Sequence, residues 1–168
     1  LLPAEGEGRN AVYAAKKGWK VIACDISIEG KNKALQLAKK NSVDMSYQVG
    51  DFFSLEFGEE EFDLAALIFA HFPANLLSAY HKKVGDLIKP GGILILEGFS
   101  TNHLELRKGN PDIGGPDKIE MLFSIDAIKR DFPNFDIIQL EEKEIILKEG
   151  MFHNGVSKVI RFIGRKTV

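Results

Sequence analysis

From residue 20 to residue 99 the sequence alternates short apolar runs with segments of helical period. The apolar runs are KVIACD (residues 20–25), MSYQV (45–49), FDLAALIF (62–69) and ILILEGF (93–99). A strand that is apolar throughout must be covered on both faces, and strands separated by helices pair in parallel. Between the runs, Ser27 is placed to cap a helix over residues 27–41, with Ala34, Leu35 and Ala38 on one face. Residues 74–88 carry Leu76, Leu77, Tyr80, Val84, Leu87 and Ile88 at helical spacing. Lys89-Pro90-Gly91-Gly92 then ends that helix, because proline cannot continue it and the glycines allow the turn.

The flanks complete this pattern. Leu1-Leu2-Pro3 reads as the end of a first strand, truncated at the N-terminus, so a segment upstream is expected. Residues 9–17 form a helix stopped by Gly18. Residues 101–121 hold clustered glycines and prolines with little periodicity, and are expected to be a long loop serving as a lid on the acceptor. A short helix follows at 124–132, then strands at 135–147 and 156–166 that pair as an antiparallel hairpin, closed by a turn that holds His153. The expected fold is α/β. It is a Rossmann-like, doubly wound and mostly parallel sheet of about seven strands ending in that hairpin, one domain over 1–168.

Composition narrows the partners. With 22 basic against 24 acidic residues, no basic face is demanded, so nucleic acid is not expected. The longest apolar run is far too short to span a membrane, and no signal peptide is visible. The one cysteine, Cys24, excludes an internal disulfide and favours a reduced, cytoplasmic setting. Monomer and homodimer are both compatible with an edge hairpin.

In a sheet of this kind, ligands bind at the carboxyl ends of the strands. There the chain places AEGEGRNA, residues 4–11. Gly6 and Gly8 let a ligand approach the backbone closely. Asp25, at the end of the second strand, can accept hydrogen bonds from both hydroxyls of a ribose. The same loop satisfies the dinucleotide pattern GxGxxA, so it does not choose a cofactor by itself. Val49-Gly50-Asp51-Phe52-Phe53 adds an acid that can accept from an adenine amino group, with Phe52 or Phe53 to cover the ring. A nicotinamide-dinucleotide oxidoreductase fragment remains an alternative, although the chain shows no convincing Tyr-x-x-x-Lys pair to handle a hydride.

GEGRNAVYAAKKGWKVIACDIS, GDFFSLEF, EEFDLAALIF and LIKPGGILILEGF, in that order, resemble a class I S-adenosylmethionine-dependent methyltransferase. Within that superfamily the chain is most similar to the small tellurite-resistance and thiopurine methyltransferase-like branch. The resemblance implies S-adenosylmethionine as cofactor, S-adenosylhomocysteine as product and a small-molecule acceptor, among which thiols and chalcogen compounds are known. It implies that Ala4, Glu5, Gly6 and Gly8 cradle the methionyl part, with Asn10 at the helix start. It assigns Asp25 to the ribose, Ile26 to the flank of the adenine, and Asp51 and Phe52 to its amino edge. Phe69, Ala70 and His71 would line the donor near its sulfur. Two departures stand out: Leu2 occupies the place of an expected acid, and Ala4 that of the first glycine. Glu5 is a candidate replacement for that acid, and the departures keep a non-catalytic S-adenosylmethionine-binding module as a further alternative.

Methyl transfer from a sulfonium needs alignment more than acid–base help, and a base only for alcohol or amine acceptors. No metal is required, and four scattered histidines with one cysteine do not form a zinc pattern. His71 is the weak candidate for a base, with His71 and His103 as candidate substrate contacts. His103 is expected to be exposed, Glu97 to pair with a lysine, His153 to be solvated, and Trp19 to belong to the core or to a helix cover.

Overall fold

The computed structural model describes residues 1–148 and 153–167. The order is β1 (Leu2–Pro3), α1 (Arg9–Lys16), β2 (Ile22–Asp25), α2 (Ile28–Lys40), β3 (Ser46–Val49), β4 (Phe62–Ile68) and α3 (Leu77–Leu87). There follow β5 (Ile88–Phe99), α4 (His103–Gly109), α5 (Ile125–Asp131), β6 (Phe135–Lys148) and β7 (Asn154–Lys166). Ser27 caps α2, its Oγ accepting from the Gly30 N–H at 2.9 Å, and Ser124 caps α5 in the same way through Ala127.

The strands divide into two sheets instead of the single sheet expected. A parallel sheet runs β1-β2-β3, and a mixed sheet runs β4-β5-β7-β6. At the seam between them stands Pro3, a residue with no N–H to continue a ladder. Leu1 bridges the sheets: its nitrogen donates to Leu64 O at 2.8 Å, and its carbonyl accepts from Ala66 N–H at 2.9 Å. Within the mixed sheet β4 and β5 are parallel, while β7 enters antiparallel beside β5 and leaves β6 at the edge. The hairpin is therefore as expected, although its turn, residues 149–152, lies outside the described residues.

Four further expectations are corrected. The helix over 74–88 begins only at Leu77, after a turn in which Leu76 N–H reaches Pro73 O. Ile88 already pairs with Phe62, so the strand starts before the Pro-Gly-Gly turn and bulges through it. The segment 101–121 is not a structureless loop: it contains α4 and two short 3₁₀ turns, Pro111–Ile113 and Ile119–Met121. Trp19 is half exposed instead of buried.

The main core lies between the sheets and the α3–α5 layer, with Leu67, Val84, Ile88, Leu94, Phe123, Ile128, Ile160 and Phe162 fully buried. Cys24 is in that core, and burial pushes its thiol up to about 12, out of reach of nucleophilic chemistry at neutral pH. No helix among the described residues is long and apolar enough to cross a membrane.

Candidate active site

The turn after β1 is tied down from three sides. Glu5 N–H donates to Cys24 O, Gly6 N–H to Asp25 Oδ2 at 3.1 Å, and the Tyr47 hydroxyl to Gly6 O at 2.6 Å. Gly8, with φ of 84°, stands in the left-handed region, and a Cβ there would lie 2.5 Å from the Ala34 Cβ. That is the close passage of α1 over α2 that only glycine allows. Gly6 also has a left-handed φ, of 59°, but a Cβ on it would meet no atom within 4 Å. The space over Gly6 is thus open on the ligand side. Ala4 adopts a φ of 53°, the conformation a glycine would take freely, so it keeps the turn's shape at some backbone strain.

Glu5 is not a solvated loop acid. Its Oε1 accepts from the Ala11 N–H at 2.7 Å, which satisfies the third amide of α1 in place of a cap from Gly8. Burial raises its pKa, and hydrogen bonds from Ala11 and Asn10 oppose that rise. Ala4, Glu5, Gly6, Asn10 and Phe69 line a cavity of about 340 Å³, with His153 at its other side.

Asp25 takes one backbone N–H on each oxygen, Gly6 on Oδ2 and Ser27 on Oδ1 at 2.9 Å. Each oxygen keeps lone-pair capacity for a further donor. Beside it Ile26 is 78% exposed, an apolar surface facing outward at the strand's end. Gly50 N–H bonds to Asp25 O, which brings the next turn alongside. There Asp51 Oδ1 accepts from Phe53 N–H, and its Oδ2 accepts from the Tyr80 hydroxyl at 3.3 Å.

The structure separates the two phenylalanines of this turn. Phe52, expected to cover a ligand ring, is 5% exposed and packs against Phe57 and Tyr80 in the core. Phe53 is 41% exposed and is the aromatic that faces out. Ala70, expected to line the donor, is likewise buried in the core and presents almost no surface. Sequence reasoning missed the residue that shapes this turn, Lys83 on α3. Its ammonium donates to Phe52 O, Phe53 O and Leu55 O at 2.6, 3.2 and 2.9 Å, and lies 4.8 Å from the centre of the Phe52 ring. All three of its protons are used on carbonyls of one turn. Its position one helical turn from Tyr80, on a helix visible in the apolar spacing, was the available signal.

Past β4, Phe69 has a φ of 52°, which turns its ring out of the sheet, and it packs on Phe99 at 4.9 Å between centroids. His71 Nδ1–H donates to Met121 O at 2.8 Å, and its Nε2 accepts from the Phe99 N–H at 3.1 Å. Burial pushes its pKa down to about 4. A neutral imidazole with both nitrogens engaged has none left to take a substrate proton in this arrangement. His103, expected on the surface, is fully buried. Its ring stacks on Phe99, Nε2–H donates to Gly114 O, and Nδ1 accepts from Lys158 N–H. Burial lowers its pKa as well. His153 is half-buried with its ring against Phe69 and Phe99, not simply solvated. Glu97 pairs with Arg161, not with a lysine.

A second cavity, of about 430 Å³, opens on the other side of Phe69. His71, Phe99, Arg107, Met121 and His153 line it, with the 115–117 turn. Phe69 and His153 belong to both cavities. Among the described residues no group of three or more His, Cys, Asp or Glu side chains is placed to hold a metal ion.

Residues 3–92 match the family described as "Methyltransferase domain", more than half of the chain. The chain belongs to the methyltransferase-domain family. It is a class I enzyme with S-adenosylmethionine as cofactor. No curated protein sequence matches it. Solved methyltransferases share the fold. A SAM-dependent methyltransferase from Methanosarcina mazei is 22% identical with a TM-score of 0.78, over 100% of this chain and 92% of that one. A putative methyltransferase from Bacillus halodurans is 17% identical with a TM-score of 0.77, over 100% and 92%. TehB from Haemophilus influenzae is 16% identical with a TM-score of 0.76, over 99% of this chain and 57% of TehB. The dinucleotide and non-catalytic alternatives are not favoured for a methyltransferase-domain chain. Around the glycine loop the chain offers open space over Gly6, spare acceptor capacity on Asp25, and outward apolar faces at Ile26 and Phe53, groups of the kinds a donor of this chemistry needs.

Proposed function

We propose that this chain, read as one domain over residues 1–168, methylates a small-molecule acceptor, of thiol or chalcogen type, within the cytoplasm. The observation that carries the reading is the meeting of two cavities at Phe69 and His153, one under the glycine loop and one among aromatic side chains. In this reading Glu5, Gly6 and Asn10 hold the methionyl part and Asp25 accepts from the ribose hydroxyls. Ile26 and Phe53 flank the adenine, and Asp51 accepts from its amino group. S-adenosylmethionine held by these residues would supply an activated methyl group to a nucleophilic acceptor.

What the chain's own residues contribute is position and exclusion of water. Phe69 separates the cavities and sets the line along which they meet. His71 holds the Phe99 and Met121 backbones together and carries no proton to or from the acceptor. An acceptor that is already an anion or a ready nucleophile suits such a site, which supports the thiol or chalcogen class. The segment 101–121 acts as a wall pinned by His71, His103 and Arg107.

Calorimetric titration with S-adenosylmethionine, S-adenosylhomocysteine, NAD and NADP tests the donor half. Micromolar binding of the first two is expected. Asp25→Ala, which removes the ribose acceptor and unties Gly6 and Ser27, weakens it by about a hundredfold or more. Binding of NAD or NADP in their place would overturn the proposal.

A further inference from the structure

α4 places His103 and Arg107 one turn apart on one face. His103 goes fully into the core, and Arg107 follows it as far as the aromatic cavity, where it is half-buried. Arg107 Nε donates to Gly115 O at 2.9 Å. That bond fixes the plane of the guanidinium and commits its inner edge, leaving the two terminal nitrogens as a fork of donors. Among the described residues no carboxylate pairs with Arg107. Its charge is felt locally: after burial, it helps hold the His103 pKa down.

The rest of the cavity gives this charge its meaning. Phe69, Phe99, Met121 and Pro116 are apolar, and Asp117, the other charged side chain of the lining, is exposed at the rim. A half-buried cation with no counter-ion among the described residues, at one end of an aromatic cavity of about 430 Å³, suits an anion attached to an apolar body.

We infer that the acceptor is a small, largely apolar or aromatic molecule carrying a carboxylate, which Arg107 grips through its two terminal nitrogens while the apolar body lies against Phe69 and Phe99. This rests on the reading of the aromatic cavity as the acceptor site. Arg107 then determines specificity.

The test uses the chain saturated with S-adenosylhomocysteine and titrated calorimetrically with 4-mercaptobenzoate or with thiophenol, which lacks the carboxylate. The carboxylate compound is expected to bind at least about tenfold more tightly, because a charge-assisted bidentate pair forms only with it. Arg107→Gln removes that preference, and Arg107→Lys, which keeps the charge without the fork, retains part of it. S-adenosylhomocysteine affinity stays the same in both variants, which shows that the site is intact. Equal affinities in the unaltered chain, a preference that survives Arg107→Gln, or no binding of 4-mercaptobenzoate would each overturn the inference while the donor reading stands. Failure of S-adenosylhomocysteine to bind the unaltered chain would sink the methyltransferase reading itself.

Discussion

The two cavities that meet at Phe69 are built by different means. The glycine-loop cavity is made mainly of backbone, at the carboxyl ends of parallel strands: amides tied to Asp25, a turn that needs glycine at Gly8, and an acid that caps a helix. The aromatic cavity is made of side chains gathered from distant parts of the chain, β4, β5, α4 and the start of β7. A site made of backbone demands particular residue types at fixed short spacing. A site made of side chains demands only that the fold bring them together, which any spacing can satisfy.

The comparison can be attacked first at Gly8. Gly8→Val puts a branched side chain at a φ of 84° and 2.5 Å from Ala34. A loss of at least about 3 kcal/mol of stability is expected, with donor binding abolished. Urea unfolding and calorimetry read the two effects. Tolerance of valine would show that the loop is not backbone-limited.

On the aromatic side the sensitivity is to pH. His71 has its pKa pushed down by burial from 6.5 to about 4. The unfolded chain therefore binds more protons between those values, so His71's contribution is whole above pH 6.5 and is lost as pH falls toward 4. The loss amounts to up to about 3 kcal/mol, and His103 acts in the same direction. Urea unfolding at pH 7 and pH 4.5, repeated on His71→Gln, measures it. A variant that keeps the full pH dependence would show that His71 is not its source.

A smaller effect sharpens the boundary between the regions. Lys83→Met keeps the packing against Phe52 but removes the donors to three carbonyls of the Asp51 turn. Donor affinity should fall by about tenfold, at a cost of about 1–2 kcal/mol in stability. Affinity for 4-mercaptobenzoate in the aromatic cavity should not change. An equal loss at both cavities would mean that Lys83 supports the fold as a whole, not the turn.

How much could be read from the sequence follows the same division. The alternation of strands and helices, the Ser27 cap, the hairpin and the family of the glycine loop were all legible, because each follows from local spacing. The split into two sheets was not. It depends on how β1 meets β4, where Leu1 bonds to both Leu64 and Ala66 and Pro3 has no N–H to extend the ladder. α4 was missed because the face it buries carries His103 and Arg107, so no apolar period marks it. Nothing in Phe52-Phe53 says which ring faces inward, since that choice is made by Tyr80 and Phe57 from elsewhere in the chain. The burial of His103 needed Gly114 and Lys158 to satisfy its two nitrogens, and neither is a neighbour in sequence.

Phe69 forms part of both walls, on a backbone turned to a φ of 52°. A ligand in either cavity would meet the same ring. If a filled acceptor cavity presses on that ring, it changes the affinity for the donor, and the donor must change the affinity for the acceptor by the same factor. A single shared side chain thus makes binding order a property of the partition between the sites, one that substitution at Phe69 alone would reset.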